Sequence, residues 1–320
     1  MTADIDSVKA LGAAIEGEVA KVVFGQGPLT RMVTIALLAG GHVLLEGPPG
    51  TAKTLLAQAF ARAVALDFGR IQFTPDLMPG DILGSNLFNF QTSSFTLTKG
   101  PIFTELLLAD EINRTPPKTQ AALLEAMQER RVTVGGESHV MSPRFTVLAT
   151  QNPIEQQGVY PLPEAQLDRF LFKLVVDYPD AAEERRIVAD HGGRFKSPVV
   201  ADFGVAQITD AKAIGAAIDI IASVRLAEEV VDYIVRLIRS TRASADLECG
   251  ASPRAATMLA RAACAAAALE GRDYVIPDDV QRLAAGVLRH RVILSPAAEI
   301  EGRNVEQVIA DLVEREDVPR

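Results

Sequence analysis

The stretch Gly47-Pro48-Pro49-Gly50-Thr51-Ala52-Lys53-Thr54-Leu55 decides the fold. It follows a short apolar run, His42-Val43-Leu44-Leu45-Glu46, and opens a helical stretch from Lys53 to Val64. Strand, glycine-rich turn and helix in that order gather backbone N–H groups in one concavity, with a helix N-terminus behind them. A row of phosphate oxygens needs that arrangement. Lys53 is spaced to reach the outer phosphates, and Thr54 to offer a hydroxyl to Mg²⁺. A strict phosphate loop has glycine where Ala52 stands. The position leads into the helix, so alanine is expected to be tolerated. A plain glycine-proline turn is the alternative, and the flanking strand and helix speak against it.

Downstream, Leu106-Leu107-Leu108-Ala109-Asp110-Glu111 ends an apolar run in two acids. Burying adjacent carboxylates is costly unless a cation joins them, and a phosphate-bound Mg²⁺ would be one. Asp110 is then the metal-holding acid, and Glu111 the base that polarises the attacking water. Phe145 to Thr150 is a further run, closed by Gln151-Asn152-Pro153. Its amide could orient that water, although taken alone it reads as an ordinary Asn-Pro turn. Ser252-Pro253-Arg254 is a helix start. An arginine in a first turn opposes the helix dipole unless an anion joins it, so Arg254 is a candidate phosphate ligand beside the plain reading of an exposed arginine. Leu167-Asp168-Arg169-Phe170 reads by itself as a charged helix end.

The apolar runs His42–Glu46, Glu105–Ala109, Phe145–Thr150 and Leu171–Val176 are short and nearly continuous, as strands of a parallel sheet buried on both faces are. Helical segments alternate with them, preceded by Lys9–Val23 and Pro28–Leu38, so the first half is α/β. Phe88–Phe90 with Phe95–Leu97, across Gln91–Ser94, reads as one hairpin, and Val132–Val134 with Ser138–Val140, across Gly135-Gly136, as another. After Asp177-Tyr178-Pro179 strand signals end. Ala181–His191, Asp210–Ser223, Ala227–Ala243, Pro253–Leu269, Pro277–Leu288 and Val305–Val313 read as helices. A boundary near Tyr178 divides the chain into domains 1–178 and 179–320.

Composition sets the outer limits. The 320 residues are 48% apolar and 23% charged, which excludes a disordered chain, a collagen or a disulfide scaffold. The net charge of −9 speaks against a nucleic-acid partner. Met1-Thr2-Ala3-Asp4-Ile5-Asp6 has no basic apolar leader, and no run is long enough to insert in a membrane. Cys249 and Cys264 form no CxxC pair, as expected of reduced thiols in the cytoplasm. The four histidines show no metal-ligand spacing, and no Gly-x-Ser-x-Gly elbow occurs.

Together these motifs resemble the AAA+ ATPases, and among them the MoxR family, over nearly the whole chain. Gly47–Thr54 looks like the Walker A loop with the family's alanine before the lysine, Leu106–Arg114 like Walker B, and Ala149–Pro153 like the sensor-1 strand end, with Asn152 the sensor. Pro163–Phe170 resembles the segment carrying the arginine finger, which implies Arg169. Gly250–Ala255 resembles the sensor-2 helix start, which implies Arg254. Val23-Phe24-Gly25-Gln26 looks like the lining of the adenine pocket. The hairpins sit where the family carries a helix-2 insert and a pre-sensor-1 hairpin.

The resemblance implies a five-stranded parallel sheet with a helical lid, and ATP hydrolysis with Mg²⁺ in a homo-oligomer, typically a hexameric ring. It also implies chaperone-like remodelling of partner proteins, often ones with von Willebrand factor A domains. A DNA motor and a metal-chelatase ATPase subunit of the same insert-bearing clade are the competing classes, together with a nucleotide switch without turnover. A motor would need basic residues on its hairpins, yet the second turn is Gly135-Gly136-Glu137. A pure switch would not need Glu111.

Overall fold

The computed structural model describes residues 4–91, 93–153, 158–191 and 200–319. Five short strands form its central sheet: β1 (Val43–Glu46), β2 (Phe68–Gln72), β3 (Leu106–Asp110), β4 (Thr146–Gln151) and β5 (Phe172–Val175). They lie in the order β2-β3-β4-β1-β5 and pair in parallel throughout. Side chains alternate between the two faces along each strand. Val43, Leu45, Leu106, Leu108 and Leu148 join one apolar cluster, while Leu44, Leu107, Ala109, Val147 and Ala149 join the other. Both faces are covered, which is why these strands read as unbroken apolar runs.

The edge strand β2 has no such run. Of Phe68-Gly69-Arg70-Ile71-Gln72 only Ile71 is buried, and with one neighbour, β3, the strand needs little apolar content. Gly69 is required by packing, since a Cβ there would stand 2.7 Å from the carbonyl oxygen of Pro101.

Helices α1 (Ile5–Val19) and α2 (Gly27–Leu38) precede the sheet, and α3 (Lys53–Val64) follows the glycine-rich loop. The first helix begins and ends four residues earlier than its periodicity suggests. Both hairpins form. Gly84–Asn89 pairs with Ser94–Lys99, with Phe88 opposite Phe95; the turn residue Thr92 lies outside the described residues. Arg131–Val134 pairs with Glu137–Val140 around Gly135 and Gly136, whose φ values of 61° and 86° are those a two-residue turn demands.

Beyond Ala181 the described chain is chiefly helical, but strand structure does not end there. Leu247–Cys249 pairs antiparallel with Ile293–Leu294, a patch too short to leave an alternating pattern. The helix Pro253–Leu269 packs on α1, where a Cβ on Gly12 would meet Leu269 at 2.4 Å. One apolar cluster therefore runs from β1 and α1 into the C-terminal helices. No helix among the described residues is long and apolar enough to cross a membrane.

Candidate functional site

The loop after β1 is shaped by three backbone requirements. Gly47 packs against the end of β5, where a Cβ would stand 2.2 Å from the carbonyl oxygen of Val176. Gly50 has φ 82° and open space around its missing Cβ, so its backbone faces the groove bare. Ala52 has φ 59° and ψ 20°, a left-handed conformation, and α3 begins only at Lys53. The position leads into the helix as expected, but the ease expected of alanine there is corrected, because its backbone is left-handed. Alanine stands where glycine would be unstrained.

Lys53 folds back over this loop. Its ammonium donates to the carbonyls of Gly47 at 2.8 Å and Pro48 at 2.7 Å, and to the Thr51 hydroxyl at 3.3 Å. Burial pushes its pKa down, against the opposing pull of Asp110 and Glu111. A half-buried ammonium held only by neutral oxygens is electrostatically fitted to an incoming anion.

The end of β3 supplies the carboxylates. Asp110, 8% exposed, accepts from the Thr150 hydroxyl at 2.7 Å through Oδ1. Its Oδ2 accepts from the Thr54 hydroxyl at 3.2 Å and from the Arg70 guanidinium at 2.9 Å. A hydroxyl beside a carboxylate is the hard-oxygen pair that suits Mg²⁺, which keeps waters and phosphate oxygens as its remaining ligands. Arg70, from the edge strand, is the cation that accompanies Asp110 in the fold itself.

Glu111 leaves the strand at φ 56°, and its N–H donates to the Thr150 hydroxyl at 2.9 Å. Its Oε2 accepts from Gln72 at 2.7 Å and Arg114 at 3.0 Å. At the end of β1 Glu46 is bridged by Gln151 and by Lys173, the latter at 2.9 Å. Lys53, Thr54, Asp110, Glu111 and Asn152 all line one open groove of about 450 Å³, shared with Pro49 to Leu55 and with Arg70 and Gln72.

Arg70, Gln72, Arg114 and Thr150 are members of this site that sequence reasoning missed. Arg70 and Gln72 carried a signal: alternate polar residues two apart on a strand point to one side.

Arg169 and Arg254 do not join that groove. They line a second cleft, of about 290 Å³, beside Gly40 and His42. Arg254 lies 3.5 Å from Asp168, and the Ser252 hydroxyl turns to the same carboxylate at 3.4 Å instead of capping its helix. Asp168 is gripped from behind by Arg291, whose guanidinium pairs with it at 2.7 Å and donates to the Asp168 backbone at 2.9 Å. The residues expected at the adenine pocket sit elsewhere again. Val23 is buried, Gln26 immediately precedes α2, and Gly25 leaves room that a Cβ would contest with the Glu183 carboxylate. Phe24 between them carries the Arg186 guanidinium 4.2 Å from its ring centre.

Known proteins resemble the chain in sequence and fold. Residues 42–172 match the ATPase family associated with various cellular activities (AAA), and residues 239–312 match the AAA lid domain. The chain is 44% identical over 315 residues to YeaC of Bacillus subtilis, covering 97% of this chain and 95% of that one. It is 44% identical over 312 residues to the chaperone MoxR1 of Mycobacterium tuberculosis, covering 95% and 81%. The crystal structure of a candidate ATPase from Cytophaga hutchinsonii superposes with a TM-score of 0.89 at 39% identity, over 99% of this chain and 97% of that one. The chain belongs to the MoxR family of AAA+ ATPases.

Proposed function

We propose that the chain binds ATP with Mg²⁺ in the groove above β1, β3 and β4, hydrolyses it within a ring of identical subunits, and spends the cycle remodelling partner proteins. The observation that carries this reading is the separation of the site into two parts. Lys53, Thr54, Asp110, Glu111 and Asn152 line one groove, while Arg169 and Arg254 line another cleft of the same chain. Two half-sites on one molecule are what identical subunits packed head to tail would complete.

In this reading the loop N–H groups of Gly47 to Thr54 and the Lys53 ammonium hold the phosphates, and Leu55 seats the start of α3 beneath them. Thr54 and Asp110 hold the metal, which when bound neutralises charge on the phosphate oxygens. Glu111 takes the proton of the attacking water once its carboxylate is released from Gln72 and Arg114, and Asn152 orients that water. Val23, Gly25 and Gln26 flank the base. Arg169 and Arg254 face the nucleotide of the adjacent subunit. Residues 1–178 form the nucleotide-binding core and 179–320 the lid.

A hexamer, a cytoplasmic setting and a partner with a von Willebrand factor A domain follow from the family resemblance. The chaperone name of MoxR1 supports the remodelling role.

The test is complementation. Lys53→Ala should lose ATP binding, and Arg169→Ala should bind ATP yet hydrolyse it roughly 10³–10⁵-fold more slowly, the worth of such a finger. Mixed together the two inactive chains should regain turnover, because one supplies the loop and the other the finger. Tagged co-purification must show that mixed assemblies form. Mixed assemblies without activity would refute the division of the site between subunits.

A further inference from the structure

The second cleft holds more positive charge than the arginines already assigned to it. Arg130 and Arg261 also line it, and no acid is among its described lining residues, in a chain whose net charge is −9. Arg254, Thr257 and Arg261 follow at helical spacing on one face of the helix Pro253–Leu269. Arg130 arrives from the opposite wall at the end of the helix Pro117–Glu129, in a left-handed conformation with φ 49°. Its guanidinium is fixed by the carbonyls of Gly40, at 3.0 Å, and Pro143. Arg130 and Arg261 both come within reach of the point where a Cβ of Gly40 would stand, at 3.1 and 3.3 Å. Two guanidinium groups are thus held side by side; burial, and after it the Arg261 charge, pushes the Arg130 pKa down. Among the described residues neither Arg169 nor Arg261 has a carboxylate partner. Asp168 answers Arg254 from 3.5 Å, but its other oxygen is taken by Arg291.

We infer that this cleft is a polyphosphate site in which Arg130 and Arg261 bind the anion together with Arg169 and Arg254. Like charges brought together on two helices, one through a left-handed backbone, repel each other, and an anion between them would turn that repulsion into attraction. A bidentate guanidinium occupies a pair of oxygens, so four outrun a single phosphate and fit a diphosphate or triphosphate chain. Such a chain can come from the nucleotide of an adjacent subunit, which rests on the proposed assembly, or from free inorganic polyphosphate.

The test separates the sources. In a Lys53→Ala background, which silences the chain's own groove, tripolyphosphate is titrated by calorimetry at a dilution where the protein is monomeric. Arg261→Gln, on the exposed side of its helix, and Arg130→Gln should each weaken binding by at least about tenfold, the worth of one charge-assisted contact. Arg261→Gln carries the test if Arg130→Gln disturbs the fold. Affinity unchanged in Arg261→Gln and in a folded Arg130→Gln overturns the site. ATP turnover is then measured in assemblies that keep Lys53. A fall in the two variants, with ATP affinity of the isolated chain unaltered, identifies the adjacent subunit's nucleotide as the anion. Lost tripolyphosphate binding with full turnover identifies free polyphosphate. Arg169→Ala in the same assay reports on the divided site independently.

Discussion

Asp168→Ala should destabilise the fold by more than its position on a helix end suggests. Its Oδ1 pairs at 2.7 Å with Arg291, whose side chain is 1% exposed. Deleting the carboxylate leaves that guanidinium buried with uncharged partners, the carbonyls of Asp168, Leu171, Phe170 and Val287, the Met258 sulfur and the His290 ring. Breaking a buried pair from one side costs about 3–5 kcal/mol. The carbonyls remain and the carboxylate is 23% exposed, so the loss should be about 2–3 kcal/mol. The more exposed Arg254, 3.5 Å away, adds under about 1 kcal/mol. Urea denaturation measures the change. The decisive comparison is Asp168→Ala with Arg291→Met, which removes the stranded charge and should recover about 1–2 kcal/mol relative to the additive expectation. The single variant should also slow turnover, because Arg169 follows Asp168 directly. Stability within about 0.5 kcal/mol of wild type, or strict additivity in the double variant, would refute the reasoning.

Three further outcomes follow from the same geometry. Glu111→Gln keeps the shape beside Asp110 but removes the base, so ATP should bind while single-turnover hydrolysis falls roughly 10²–10⁴-fold; loss of binding would make Glu111 structural. Ala52→Gly should relieve a left-handed alanine at φ 59° and raise stability by about 0.5–1 kcal/mol after the entropy glycine adds to the unfolded chain, as thermal melting would show. His42, fully buried, donates to the Met127 carbonyl and accepts from the Val147 N–H; desolvation lowers its pKa from 6.5 to about 4. The unfolded chain takes up its proton first, so the stability His42 confers is complete above pH ~6.5 and falls by about 3 kcal/mol as pH drops to ~4, a slope that His42→Gln should flatten in denaturant titrations.

What the sequence discloses depends on how local the cause is. The phosphate loop, the acid pair and the helix start at Pro253 are each set by residues next to one another, and the structure gives Lys53–Val64 and Pro253–Leu269 the bounds their patterns suggest. β2 is not legible because this edge strand carries little apolar sequence, and its polar residues are spent on Asp110 and Glu111. The strain at Ala52 is hidden for a related reason: residue type gives propensity, while its φ is imposed by a loop that must turn into α3. Arg291 reads in sequence as one more surface cation among Arg289-His290-Arg291. Its burial comes from Phe170 and Leu171, some 120 positions away.

The placement of Arg254 shows where motif reading stops. Its helix start is visible from Ser252-Pro253, yet the anion it should meet is a matter of tertiary placement. The helix Pro253–Leu269 packs on α1 and α2, and this packing fixes which face Arg254, Thr257 and Arg261 present. That face meets Arg169 and Arg130 across the cleft, while Lys53 lies in the other groove. Arg291 ties the Asp168–Leu171 segment to the region after Leu288, so any shift of the C-terminal helices must carry Arg169 with it. A phosphate chain entering the cleft would thus draw on both walls at once, the helix Pro253–Leu269 from one side and Arg130 from the other. In an assembly of identical chains, closure of the cleft on an adjacent nucleotide and movement of the C-terminal helices become one event, which is how hydrolysis in a neighbour could be felt as motion here.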